Sequence, residues 1–234
     1  MNSPNMMEVK LKELVEFMDY NSMVRRHSSA IKGLACEELN LALLCHYLEH
    51  EARYKSVIKL KSSCTTTGSR LDAWVQCSNN ESSQYPEILY QVEVKSWSFH
   101  GYGGGEALPL NGNGTDESYC KHVIARWSKY WNDGSKKFND PKLNKVLNEM
   151  NVPKEFQCQK DNIRTLACLW DAIHPEGLKD PFFEIECSPG KFKAVSIFSV
   201  STYVRNLIAK KTYSLALDLP DTKERISLLS RIFK

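Results

Sequence analysis

The chain has 234 residues, 42 % of them hydrophobic and 25 % charged, with a formal net charge of +3. That balance belongs to a folded globular protein and excludes a disordered tail, a collagen-like rod or a coiled coil. No run approaches the 18 or so apolar residues of a membrane span, and residues 1–20 alternate charged with apolar side chains instead of building a secretory signal, so an intracellular, cytoplasmic protein without a membrane partner is expected.

Residues 6–19 read as a helix, with Met7, Leu11, Leu14 and Met18 at steps of three and four. Asn21 and Ser22 break it. A second helix starts near Ser28 and runs to about Tyr54; its stripe is Leu34, Leu41, Leu44 and Leu48, with Glu37 on the same face. Three extended stretches follow, at 57–61, 70–77 and 88–97. In the last, Ile88, Tyr90, Val92 and Val94 alternate with Leu89, Gln91, Glu93 and Lys95.

Residues 100–118 hold six glycines and carry no strong signal for a helix or strand. A loop of that length is usually functional or disordered. It lacks the Gly-Lys-Ser/Thr of a phosphate loop and the glycine spacing of a dinucleotide fingerprint. A helix resumes at Tyr119, blurs at Asn132-Asp133-Gly134, and a short helix is expected over 141–150. Strands follow at 163–170 and 182–187, then a turn at Pro189-Gly190. A strand at 194–201 feeds a helix through Val204 to Ala209, and 222–233 is a further amphipathic helix. The order predicts a mixed α/β fold, one domain over 1–234.

Eight cysteines stand at 36, 45, 64, 77, 120, 158, 168 and 187, without a C-x-x-C pair. They read as buried reduced thiols acting as small apolar residues, the other possibility being a zinc site assembled from distant singles. His46 and His50 are spaced i, i+4, but the H-E-x-x-H order is missing. Surface histidines are expected there.

Between Tyr119 and Lys145 seven basic residues (Lys121, Arg126, Lys129, Lys136, Lys137, Lys142, Lys145) face two acidic ones, with Trp127, Tyr130 and Trp131 interleaved. Such a segment can neutralise phosphates and stack on bases. It is also what a helix with a solvated basic face and buried aromatics looks like.

The stretch 88–97 carries the sharpest chemical statement. Successive strand side chains point to opposite faces, so Gln91, Glu93 and Lys95 share one. An unpaired buried charge costs several kcal/mol. Either this face is exposed, with Glu93 and Lys95 a surface pair, or it lines a site where the charges have partners. Asp72, in the preceding extended stretch, would approach Glu93 if the two strands form a hairpin. Two carboxylates brought together call for a cation, and oxygen ligands favour a hard ion such as Mg²⁺. With Lys95 beside them to hold a water or neutralise developing charge, the set suits metal-assisted phosphodiester hydrolysis.

Leu71-Asp72, then the spacer 73–92, then Glu93-Val94-Lys95 at the end of an apolar strand resemble the PD-(D/E)XK nuclease superfamily. Gly33-Leu34-Ala35-Cys36-Glu37, with Leu41 and Leu44, is similar to the first core helix of Mrr-type restriction endonucleases and archaeal Holliday junction resolvases. The resemblance covers roughly residues 28–130. It implies a restriction-endonuclease-like mixed sheet flanked by helices, with an extra N-terminal helix and a C-terminal helix, residues 160–234 completing the sheet.

By matching position, the resemblance makes Asp72 and Glu93 metal ligands, with the Val94 carbonyl completing the shell. Lys95 would position the attacking water and stabilise the transition state. Glu37 would be an outer or additional ligand, with Glu38 as the neighbouring candidate, and Gln91 a supporting residue. Arg126 and Tyr130 have the spacing of a helix pair seen in some branches, and with Lys121 and Lys129 they are the candidate nucleic-acid contacts.

The implied function is Mg²⁺-dependent hydrolysis of DNA, with Mn²⁺ able to substitute, by an endonuclease of restriction or antiphage defence acting as a homodimer or in a larger complex. A catalytically silent or partner-gated nucleic-acid-binding subunit is the alternative. Two departures stand out. Leu71 replaces the proline of many members, and the span 96–118, between Lys95 and Tyr119, is longer than the simplest members need.

Overall fold

A computed structural model describes residues 4–23, 28–61, 71–79, 88–98, 146, 150–156, 162–172, 174, 176, 178–186, 192 and 194–232. Within these, the chain opens with strand β1 (Met6–Lys10) and helix α1 (Leu11–Met23), followed by helix α2 (Ser28–His50). Strands β2 (Ser56–Lys61), β3 (Ala73–Ser78) and β4 (Ile88–Ser98) come next. Then come β5 (Ile163–Asp171), β6 (Phe182–Glu186) and β7 (Ala194–Ser199), which runs straight into helix α3 (Val200–Ala209). Strand β8 (Ser214–Asp218) and helix α4 (Pro220–Ile232) close the described fold.

The main sheet is mixed and six-stranded, in the order β2-β3-β4-β5-β7-β6. β2, β3 and β4 form an antiparallel meander. β5 then lies parallel to β4, β7 lies parallel to β5, and β6 returns antiparallel at the edge. The α/β class and the strands expected at 57–61, 70–77, 88–97, 163–170, 182–187 and 194–201 match this arrangement to within a few residues.

One stretch differs. The expected helix over 6–19 is a strand over Met6–Lys10 and a helix only from Leu11. Leu11, Leu14 and Met18 are buried as the helical stripe requires. Met7 and Val9 instead alternate in β1, pairing antiparallel with Leu217 and Leu215 of β8. Local periodicity is blind to a partner near the other end of the chain, and β8 itself is a short strand that the pattern reading passed over.

The larger part of the core lies on one face of the sheet. Ala73, Val75 and Cys77 of β3, Tyr90, Val92 and Val94 of β4, and Leu166, Cys168 and Trp170 of β5 pack with Leu39, Leu43 and Leu44 of α2, joined by α1, α3 and the end of β8. α2 is thus central: over residues 36–44 every side chain is buried except Glu37. The opposite face of β3 and β4 carries Leu71, Trp74 and Leu89, covered by Phe156 with Met150 and Val152. Two apolar layers therefore sandwich the centre of the sheet.

Cys36, Cys77 and Cys168 are buried reduced thiols, outside any disulfide, and Cys45 is a half-buried one. This is the expected state, and Cys64, Cys120, Cys158 and Cys187 lie outside the described residues. Also outside them are the glycine-rich stretch 100–118 and the basic-aromatic segment with Lys121, Arg126, Lys129 and Tyr130. Of the expected short helix over 141–150, Val146 is helical and buried. Among the described residues no helix is long and apolar enough to cross a membrane.

Candidate active site

Antiparallel pairing of β3 with β4 places Ala73 opposite Val92 and Trp74 opposite Gln91. One step further along that register, Asp72 comes level with Glu93. The hairpin geometry expected from the sequence is present. The consequence is chemical, because Asp72, Glu93 and Lys95 all fall on the face opposite α2.

Glu93 is buried to 1 % exposure, while Asp72 and Lys95 keep 17 % and 20 % of their side-chain surface. The Lys95 ammonium donates to Glu93 Oε1 at 2.5 Å, to the Val94 carbonyl at 2.9 Å and to Asp72 Oδ2 at 3.4 Å. Asp72 Oδ2 also accepts the Val94 backbone N–H at 2.7 Å. Of the two readings of this face, the exposed surface pair is therefore wrong: the charges are at least part-buried and partnered. Burial pulls the Lys95 ammonium towards neutrality, but Asp72 and Glu93 together outweigh it, and its pKa lies above the ordinary lysine value.

Gln91, one strand period before Glu93, is fully buried and holds a second polar chain. Its Oε1 accepts the Met150 N–H at 3.0 Å and its Nε2 donates to Thr165 Oγ1 at 3.4 Å; Thr165 in turn donates to the Val146 carbonyl at 2.6 Å. Gln91 thus ties Met150 directly, and Val146 through Thr165, to the same face of the sheet as the charged cluster. Thr165 is a participant that pattern reading missed. Its signal was a polar residue in the inward period of Ile163-Arg164-Thr165-Leu166-Ala167, directly opposite Gln91 in the parallel pair.

Glu37, expected on the buried apolar stripe of α2, is instead exposed. The buried side of α2 also meets the sheet's other face, the one carrying Val92 and Val94. Glu38 is buried and engaged elsewhere. Its Oε2 accepts the Thr222 N–H and hydroxyl at 2.7 Å each, and its Oε1 accepts the Asp221 N–H at 3.1 Å. It satisfies the open amides of the first turn of α4, where a carboxylate also complements the helix dipole. The nearness of the two acidic residues in sequence conceals that one faces solvent and the other a distant helix.

His46 and His50 are neighbours, their ring centroids 4.2 Å apart, and His46 Nδ1 lies 2.7 Å from the Tyr203 hydroxyl. His50 is exposed, as expected for a surface histidine, but His46 is half-buried.

Among the described residues no three His, Cys, Asp or Glu side chains gather as a cation cage. The donor set at β3–β4 is of another kind: two carboxylates and a backbone carbonyl, the hard-oxygen set that suits Mg²⁺, whose remaining ligands are ordinarily water. These three oxygens already share one cation, the Lys95 ammonium. The set fits a divalent ion held by Asp72, Glu93 and the Val94 carbonyl. No protein-family model matches the chain, nor does any curated protein or solved structure.

Proposed function

We propose that this chain is a Mg²⁺-dependent nuclease of the PD-(D/E)XK type that hydrolyses DNA phosphodiesters, with Mn²⁺ able to replace Mg²⁺. The observation that carries this reading is the convergence of Asp72 Oδ2, Glu93 Oε1 and the Val94 carbonyl on one cationic point, the Lys95 ammonium. The succession of α2, the antiparallel meander β2-β3-β4 and the parallel β5 supports it, being the order of the restriction-endonuclease-like core.

In this reading Asp72, Glu93 and the Val94 carbonyl would hold the ion, which would supply Lewis acidity for phosphodiester hydrolysis. Lys95, its backbone fixed by β4, supplies the positive charge that meets the developing negative charge on phosphorus. Gln91 is a positioning residue: it holds the Met150 backbone directly and, through Thr165, the Val146 carbonyl on the same face. Double-strand cleavage by this fold generally uses two copies of the site, and a homodimer would supply them.

The test is incubation of the purified chain with supercoiled plasmid, linear duplex and single strands, in Mg²⁺, Mn²⁺ or EDTA, beside Glu93→Ala and Lys95→Ala. Metal-dependent cleavage lost in both variants is expected. Absence of cleavage under every metal, with folded protein that still binds DNA, would replace this reading with that of a binding subunit or a partner-gated effector.

A further inference from the structure

We infer that Lys95 is the resident counter-ion of the metal site, filling it in the metal-free protein, and that a divalent cation enters by displacing it. The inference rests on the nuclease reading and adds to it a second, earlier role for the lysine. Its basis is positional. All three oxygens that would bind the ion are hydrogen-bonded to the same ammonium, at 2.5, 2.9 and 3.4 Å.

Mg²⁺ holds its oxygens at roughly 2.0–2.1 Å. An ion seated among these three atoms would stand within a few ångströms of the ammonium, where like charges in a part-buried site repel strongly. Ammonium and metal therefore exclude one another at this spot. The lysine has somewhere to go: its side chain keeps 20 % of its surface in solvent, whereas Glu93 keeps 1 %. A long flexible stem can swing outward while the carboxylate stays fixed on its strand.

The arrangement answers a physical problem. Without Lys95, the buried Glu93 carboxylate and Asp72 would lose the positive charge they share, at a cost in stability. Lys95 neutralises one of these two negative charges until the metal takes over. It then stands free beside the site, in reach of a scissile phosphate. The ion pair and the transition-state contact become successive states of one side chain.

Lys95→Met keeps the apolar stem and removes the charge, taking the local sum of Asp72, Glu93 and residue 95 from −1 to −2. Calorimetric titration of the full chain with Mg²⁺ and with Mn²⁺ should show the variant binding more tightly, by roughly tenfold or more. Without metal its melting temperature should lie below that of the parent. Saturating Mg²⁺ should raise it by more than it raises the parent's, because tighter binding to the folded state stabilises more. Lys95→Gln, which keeps a donor and lacks the charge, serves in the same way if Lys95→Met does not fold. Equal or weaker binding by the variant would overturn the displacement role and leave the nuclease reading intact, provided the parent still binds metal and cuts DNA. Failure of both parent and variant to bind either ion would overturn the metal site itself, and the displacement role with it.

Discussion

Asp72 Oδ2 accepts the Val94 N–H at 2.7 Å, tying the residue just before β3 to the middle of the Glu93-Val94-Lys95 triplet. The bond does two things. It satisfies a backbone donor on the charged side of the hairpin's end, and it orients the carboxylate so that the same oxygen faces Lys95 at 3.4 Å. Structure and charge at Asp72 are therefore separable. Asp72→Asn keeps a carbonyl for the Val94 N–H and loses the charge; Asp72→Ala loses both. The expected outcome is a loss of stability under about 1 kcal/mol for Asn and about 2 kcal/mol for Ala, where the Val94 N–H is orphaned. If Asp72 holds the metal as proposed, cleavage should fall by ~100-fold in both. Urea unfolding and plasmid nicking measure the two effects. Equal stability losses would mean that the hydrogen bond contributes nothing of its own.

Glu37 and Glu38 make opposite predictions. Glu38 accepts three hydrogen bonds from Asp221 and Thr222, so Glu38→Ala removes the cap of α4 and its charge–dipole term. A loss of about 2–3 kcal/mol is expected, with metal affinity unchanged, and Glu38→Gln should recover part of it. Glu37 is exposed, so Glu37→Ala should leave stability within about 0.5 kcal/mol of the parent. If Glu37→Ala also leaves cleavage unchanged, the role as an additional ligand is removed from it.

The β3–β4 site was legible because every part of it is local. Asp72 and Glu93 belong to one hairpin, and the two-residue period of Gln91, Glu93 and Lys95 fixes a shared face without reference to the rest of the chain. The helix carboxylate was not legible, because deciding between Glu37 and Glu38 depends on what covers α2. Its far side is covered by α4, the last element of the described fold, so residues 36–44 are buried nearly all round, polar Glu38 and Asn40 included, and the apolar periodicity is blunted. β1 failed for a related reason. Met7 fits a helix stripe and a strand alternation equally well, and only β8 decides between them. The Gln91–Thr165 contact needed the parallel register of β4 against β5, which residue pattern does not encode.

Asn40 is the one buried side chain among the described residues whose oxygen and nitrogen both lack a hydrogen-bond partner. It lies on α2 at 1 % exposure, in the layer facing the sheet, where Cys168 Sγ approaches its backbone carbonyl at 3.6 Å. An amide taken from water without compensation costs roughly 1–3 kcal/mol, and leucine is also the better helix former. Asn40→Leu is therefore expected to raise stability by about 1–2 kcal/mol in urea unfolding. A clear loss instead would show that the amide is held for a purpose that packing alone does not reveal.

His46 makes stability depend on pH. Burial of the ring, aided by the neighbouring His50 and opposed by Glu51, lowers its pKa from 6.5 to about 4. The nearby groups are the Tyr203 hydroxyl at 2.7 Å and the Glu51–Lys210 ion pair at 2.8 Å, which leaves Glu51 partly neutralised. The unfolded chain takes up the proton as pH falls through 6.5, while the folded chain takes it up only near 4. Folded stability is accordingly highest above pH 6.5, declines between 6.5 and 4, and suffers no further loss from this residue below that. The full shift would correspond to roughly 3 kcal/mol; partial exposure of the ring reduces this to about 1–2 kcal/mol. Carboxylates titrate in the same window, so the measurement is a difference: unfolding free energies of the parent and of His46→Gln at pH 7 and pH 4.5. The parent should lose about 1–2 kcal/mol more than the variant over that interval. Parallel losses would mean that the His46 ring accepts a proton in the folded chain as readily as in the unfolded one.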